Sequence, residues 1–262
     1  MTSNIGLLLG LWLCMLVGAQ AASPMPNPEQ KILACMRANI PPTLRIQEFQ
    51  ISSVDRKGEK RLLSGRLFAL RDGELLRAML KLTAPADLNG AAYLIREGKK
   101  TDEMYVYLPA LNRTRRITGG AGDGPLFGTD LSYADVKQLQ SAFSGSDAKV
   151  LGPQKLNGRA STMLSAKPTP ESDSRYAQIN AWIDDISCLP MKVEFLEGKT
   201  IRKRLESPAA AISKAANYWY VSESTMSDLK LGTKTQLKIT GVKSGEDLAK
   251  RYFDTRNFYL GN

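Results

Sequence analysis

The residues able to do chemistry in this 262-residue chain are few, and one type is missing altogether: there is no histidine. Its absence excludes Ser-His-Asp and Cys-His catalysis, histidine metal centres and imidazole acid–base work in one step. A carboxylate pair, a Ser-Lys arrangement or a tyrosine is left. Asp184-Asp185 are neighbours in a stretch that alternates like a strand, so their side chains would face opposite ways and make a poor acid/base pair. Glu171 and Asp173 sit in a loop-like run, Pro168–Ser174. The glycine-rich run Gly119–Gly124 lacks the Gly-Lys-Ser/Thr ending of a phosphate loop and the spacing of a dinucleotide fingerprint. The sequence therefore predicts no catalytic residue, no metal site and no cofactor, and the chain is expected not to be an enzyme.

The cysteines, Cys14, Cys35 and Cys188, bear on the compartment instead. Ile5–Val17 is an apolar run of the length of a signal h-region, too short to cross a bilayer, and Ala19-Gln20-Ala21 supplies a small-x-small cleavage pattern. The expectation is an exported, periplasmic chain cleaved near Ala21, with residues 22–262 forming one domain. Cys35 and Cys188 then remain, an even number that favours one disulfide in an oxidising compartment, the alternative being two separate buried thiols. The net charge of +10, outside the cytoplasm, points to anionic lipid head groups or acidic protein partners before nucleic acid. Tyr218-Trp219-Tyr220 could stack on bases, but an alternating strand is the simpler account.

From Arg45 onward the chain breaks into short segments of alternating polarity between turn signals, about ten strands in all. Gln47, Phe49 and Ile51 share one face of the first; Leu76, Ala78, Leu80 and Leu82 share one face of the third. Met104–Leu108 is apolar on both faces, so something must cover its second side. Helical signals are confined to Pro28–Asn39, Ser132–Phe143, where Ser132 and Asp135 have capping-box spacing, and Gly245–Phe253. The class is α+β: a large antiparallel sheet with about three short helices on one face. The apolar surplus on that face has two explanations, an ordinary core beneath the helices or a cavity that takes up acyl chains.

Tyr105–Ile117, "YVYLPALNRTRRI", followed by Phe127–Val136, "FGTDLSYADV", resembles the signature of LolA-like periplasmic proteins that sort outer-membrane lipoproteins. "CMRANIP" from Cys35 and "CLPMKVEFLEGK" from Cys188 extend the match over most of the chain. The resemblance implies an unclosed, curved half β-barrel with helices covering its concave face. It also implies a carrier that ferries acyl chains of lipoproteins or other lipids to a membrane-bound partner, touching the membrane surface transiently. On that expectation Phe49, Phe68, Leu80, Tyr107, Trp182, Val193 and Phe195 line the cavity. Arg113, Arg115 and Arg116 meet lipid head groups or hold the lid through Asp130 or Asp135, unless they are simply solvated charges. Gly119–Gly124 would be a mobile loop leading to the lid helix. The alternative function is an accessory or sensing module that docks on an inner-membrane transporter or signalling protein without a transport cycle. Burying the roughly 40 methylenes of a triacylated cargo at about 0.8 kcal/mol each would exceed the practical ceiling on noncovalent affinity, so burial is expected to be shallow and partial.

Overall fold

The computed structural model describes residues 27–144, 146–169, 174–246 and 252–260. The expected leader, 1–21, lies outside the described residues. Fifteen strands follow one another: β1 (Leu44–Val54), β2 (Lys60–Asp72), β3 (Leu75–Ala84), β4 (Ala92–Arg96), β5 (Glu103–Leu108), β6 (Arg113–Ile117), β7 (Ser146–Leu156), β8 (Arg159–Pro168), β9 (Gln178–Asp184), β10 (Pro190–Glu197), β11 (Thr200–Glu206), β12 (Ile212–Ala215), β13 (Tyr218–Val221), β14 (Glu223–Asp228) and β15 (Thr233–Glu246). Thirteen of them form one sheet in the order β6-β5-β4-β3-β2-β1-β15-β14-β11-β10-β9-β8-β7, and β12 and β13 pair as a separate ribbon. The main sheet is antiparallel throughout and unclosed, with β6 and β7 as its edges.

Two helices are present among the described residues, not three. Helix α1 (Pro28–Ala38) begins at a capping box made by Asn27 and Gln30, and α2 (Tyr133–Gln140) at one made by Ser132 and Asp135; each box satisfies backbone N–H groups that the first turn leaves without partners. The third expected helix begins instead as strand, because β15 runs through Gly245 and Glu246; residues 247–251 lie outside the described residues. No described helix is long and apolar enough to cross a membrane.

The sheet buries both faces. Leu67, Leu80, Tyr93 and Val106 stand opposite one another across β2 to β5 on the inner face, and the adjacent row Phe68, Met79, Leu94 and Tyr105 on the outer face. The inner row belongs to an apolar cluster with Phe49, Ile51 and Leu82, and a second inner cluster occupies the β7–β11 half beneath α1. The outer row is covered by the C-terminal segment: Tyr252, Phe253 and Phe258 join Phe68, Met79 and Leu94 in a third cluster. Here is the cover that the doubly apolar strand demands.

It also corrects two expected cavity residues. Phe68 stacks on Tyr252 with centroids 4.5 Å apart and Tyr107 on Tyr259 at 3.7 Å, both on the face away from the helices, since a one-residue step along a strand reverses the side. Phe258 is fully buried in this cap. Phe258→Ala should cost about 3–5 kcal/mol, measured as a lower denaturation midpoint with an unchanged slope.

Candidate functional site

Where the two inner clusters meet, the sheet is not filled. A cavity of about 200 Å³ lies between the central strands, the two helices and the β12–β13 ribbon. Its floor includes Phe49, Ile51, Leu80, Leu205, Leu237 and Ile239; its roof includes Met36, Ile40, Val136 and Leu139; Trp219, Tyr220 and Val221 close one side. The Phe49 ring can lie flat on the floor because Gly65 is opposite it: a Cβ there would sit 2.6 Å from Phe49 Cζ and 2.3 Å from the Lys81 carbonyl oxygen.

Polarity along this floor is graded. The alternation of β1 points Arg45, Gln47, Phe49 and Ile51 into the cavity in turn. Arg45 is only 6% exposed. Its Nη1 donates to the Asn39 carbonyl at 2.7 Å, whereas its buried Nε has no partner among the described residues. Burial lowers the guanidinium pKa to about 10, opposed by Tyr218 and Tyr220 beside it.

The lid is held by polar pins. Lys203 Nζ on β11 donates to Asp135 Oδ2 of α2 at 2.8 Å, with both side chains buried. Lys137 pairs with Asp102 at 2.6 Å, and the Tyr93 hydroxyl donates to the Tyr133 carbonyl at 2.8 Å; burial holds that hydroxyl far from ionisation. Before α2, Asp130 accepts from the hydroxyls of Thr233 and Thr235 on β15. Asn39, at the end of α1, ties three parts together: its carbonyl takes Arg45, its amide donates to the Ser187 carbonyl, and its Oδ1 accepts from the Trp219 N–H.

The arginine contacts with the lid are therefore not formed. Asp130 accepts from Thr233 and Thr235, and Asp135 accepts through Oδ2 from the Ser132 N–H and from Lys203, while Arg113, Arg115 and Arg116 are exposed on β6, an edge strand. Charged residues on an exposed edge oppose pairing with other chains. Gly119–Asp123, expected as a mobile loop, is a 3₁₀ turn whose Gly122 is buried against Ala134 and Met104. Of the other expected lining residues, Phe49 and Leu80 face the cavity. Val193 and Phe195 point inward but are fully buried in the filled cluster, Phe195 against the Tyr176 ring. Trp182 lies on the opposite face, under the Lys192 ammonium at 4.2 Å, because Ala181 and Ile183 take the inward positions. Arg45, Trp219 and Tyr220 are among the cavity residues absent from the expected lining.

Cys35 and Cys188 are joined, with Cα atoms 5.8 Å apart and a sequence separation of 153. Closing so long a loop stabilises the fold by about 5 kcal/mol in the chain-entropy model, and it clamps α1 to the loop carrying Cys188, Leu189 and Pro190 of the cavity wall. Asp184 shapes that loop. Its carboxylate accepts from Arg159 Nε at 2.6 Å and from both the N–H and the hydroxyl of Ser187 at 2.8 Å. Burial pushes its pKa up, but these bonds prevail and bring it down to about 2. Asp185, by contrast, is exposed and accepts from Thr162, so the two aspartates share no proton. Among the described residues no group of three His, Cys, Asp or Glu side chains could hold a metal ion.

An unclosed antiparallel sheet, lidded by two short helices over an apolar cavity, defines a LolA-like fold. Residues 75–259 match the profile of a family described as uncharacterized proteins, and the chain belongs to that family, DUF1329. Solved structures agree on the fold. An outer-membrane lipoprotein-sorting protein domain from Vibrio parahaemolyticus is 23% identical, with 87% of this chain and 97% of that chain covered and a TM-score of 0.77. A DUF1329 family protein from Desulfovibrio piger is 21% identical over 87% and 98%, also at 0.77. A LolA superfamily protein from Nitrosomonas europaea is 15% identical over 87% and 98%, at 0.67. No curated protein matches the chain.

Two predictions follow from these contacts. Lys203→Met leaves Asp135 buried and unpaired, which should cost about 3–5 kcal/mol in chemical denaturation. Asp184 titrates at about 2 in the fold against 3.8 when unperturbed, so it contributes about 2 kcal/mol above the unfolded value, lost as pH falls through the folded one. The stability gap between wild type and Asp184→Asn should accordingly be constant from pH 5 to neutrality and shrink between about pH 4 and pH 2.

Proposed function

We propose that the protein is a non-catalytic periplasmic carrier that takes up one acyl chain at a time and passes it to a membrane partner. The observation that carries this reading is the unfilled apolar cavity between the sheet, the lid helices and the β12–β13 ribbon. Between two clusters of buried apolar side chains, apolar space of this size marks a place for apolar matter. The lack of histidine and the separation of the two aspartates support a role without catalysis. The fold shared with a lipoprotein-sorting domain supports the assignment by analogy only.

Size limits the cargo. At about 30 Å³ per water-sized group, the cavity of about 200 Å³ takes at least about seven methylenes. At about 0.8 kcal/mol each these contribute roughly 5–6 kcal/mol, a Kd of about 0.1 mM from chain burial alone. A triacylated lipoprotein would insert part of one chain and leave the others outside. Native mass spectrometry with lipid extraction of the exported protein should find one single-chain amphiphile per molecule, and delipidated protein should take up a fluorescent fatty acid at one-to-one stoichiometry. Failure of both measurements would exclude the carrier.

A further inference from the structure

The cavity has a sign as well as a size. Its wall carries one formal charge, that of Arg45, and no aspartate or glutamate among the described residues that line it. A buried guanidinium is ordinarily paired with a carboxylate, and this protein follows that rule elsewhere: Arg71 meets Glu97 at 3.2 Å and Arg202 meets Asp228 at 2.6 Å. Among the described residues Arg45 hydrogen-bonds only a neutral carbonyl; Arg71 and Arg202 also leave Nε without a hydrogen-bond partner, so what sets Arg45 apart is the missing carboxylate. Ser207, which also lines the cavity, has a buried hydroxyl without a partner among the described residues. Both orphans can donate hydrogen bonds, so what is missing is an acceptor.

The strand gives the ligand an orientation. Arg45, Gln47, Phe49 and Ile51 follow one another on the inner face of β1, a span of about 20 Å at about 3.3 Å per residue. Polarity falls from a cation through an amide to an aromatic and an aliphatic side chain. We infer that the cavity is built for an amphiphile with one alkyl chain and an anionic head, of the carboxylate type, whose head is bound by Arg45 and whose chain runs toward Phe49 and Ile51. This rests on the carrier reading and narrows it to a ligand class. The groups facing the guanidinium are Tyr218 and Tyr220 of the ribbon, and Arg45, lowered by burial to about 10, remains a cation near neutral pH.

The test is titration calorimetry of the full delipidated protein at pH 8 with three ten-carbon probes: decanoate, 1-decanol and decyltrimethylammonium. Decanoate is expected to bind at least about tenfold more tightly than decanol, because a buried charge-assisted hydrogen bond distinguishes them, and the cation to bind weakest. In Arg45→Met the ratio of decanoate to decanol affinity should fall to about one, while Arg45→Lys, which keeps the charge, should retain a preference for the anion. Equal binding of decanoate and decanol to the native protein overturns the inference and leaves the carrier reading standing. A preference that survives in Arg45→Met overturns it too. If none of the three probes binds, both readings fall. The native-protein comparison decides the matter even if a variant does not fold.

Discussion

A thirteen-stranded sheet at about 4.8 Å per strand measures about 60 Å along its curve, whereas helices of 11 and 8 residues are only about 16 and 12 Å long. Two such helices cannot cover the inner face of that sheet. The protein meets the shortfall in three ways. Large side chains such as Phe143, Tyr176 and Phe195 fill the space over the β7–β11 half. The β12–β13 ribbon folds over part of the middle. What remains uncovered between the clusters is the cavity, so the site is a consequence of how little helix the described residues place over that face.

A lid this small cannot be fastened by apolar burial alone, and the contacts around α2 are accordingly polar and directional. The Asp135–Lys203 pair joins the cap of α2 to the sheet, Asp130 binds the threonines of β15, and Lys137 reaches Asp102 in the β4–β5 turn. Buried ion pairs add little net stability because desolvation offsets attraction, yet each fixes one arrangement, since losing a partner is costly. On the α1 side the disulfide and the three bonds of Asn39 do the same. The lid is thereby held in register at its ends while its apolar underside, Val136 and Leu139, faces space that is not filled.

Most of the sheet is legible in the sequence because alternation over a half-buried strand is a direct image of burial. Alternation does not say which face is inner when both are apolar. That ambiguity puts Phe68 and Tyr107 on the wrong side, for the aromatic residues that cover the outer face come from the far end of the chain. Strands β7 and β8 escape detection for a different reason: β7 is a largely exposed edge with a register shift between Val150 and Gly152, and only Ala148 and Val150 pack on the inner cluster. The signal there is the turn, since Asn157-Gly158 adopts positive φ at both positions, 52° and 79°, as a tight hairpin requires. Arg45 is the most instructive omission. The two-residue period that selects Gln47, Phe49 and Ile51 extends back to it, but hydrophobic patterning offers no reason to bury a cation.

Under the proposed function, that cation would change the thermodynamics of holding and releasing an acyl chain. Burying about seven methylenes is worth less than moving a longer chain into a bilayer, where every methylene contributes about 0.8 kcal/mol. Transfer to a membrane is therefore downhill for the chain, and a carrier of this capacity needs no energy source to unload. Left alone, the same arithmetic would also make loading difficult. A buried guanidinium short of acceptors is unfavourable in the empty protein, and the proposed anionic head would relieve it, so Arg45 would raise affinity at the head while the short cavity would limit affinity at the tail. Selectivity and release are then governed by different atoms: the head group decides what is taken up, and the length of chain left outside decides how readily it leaves.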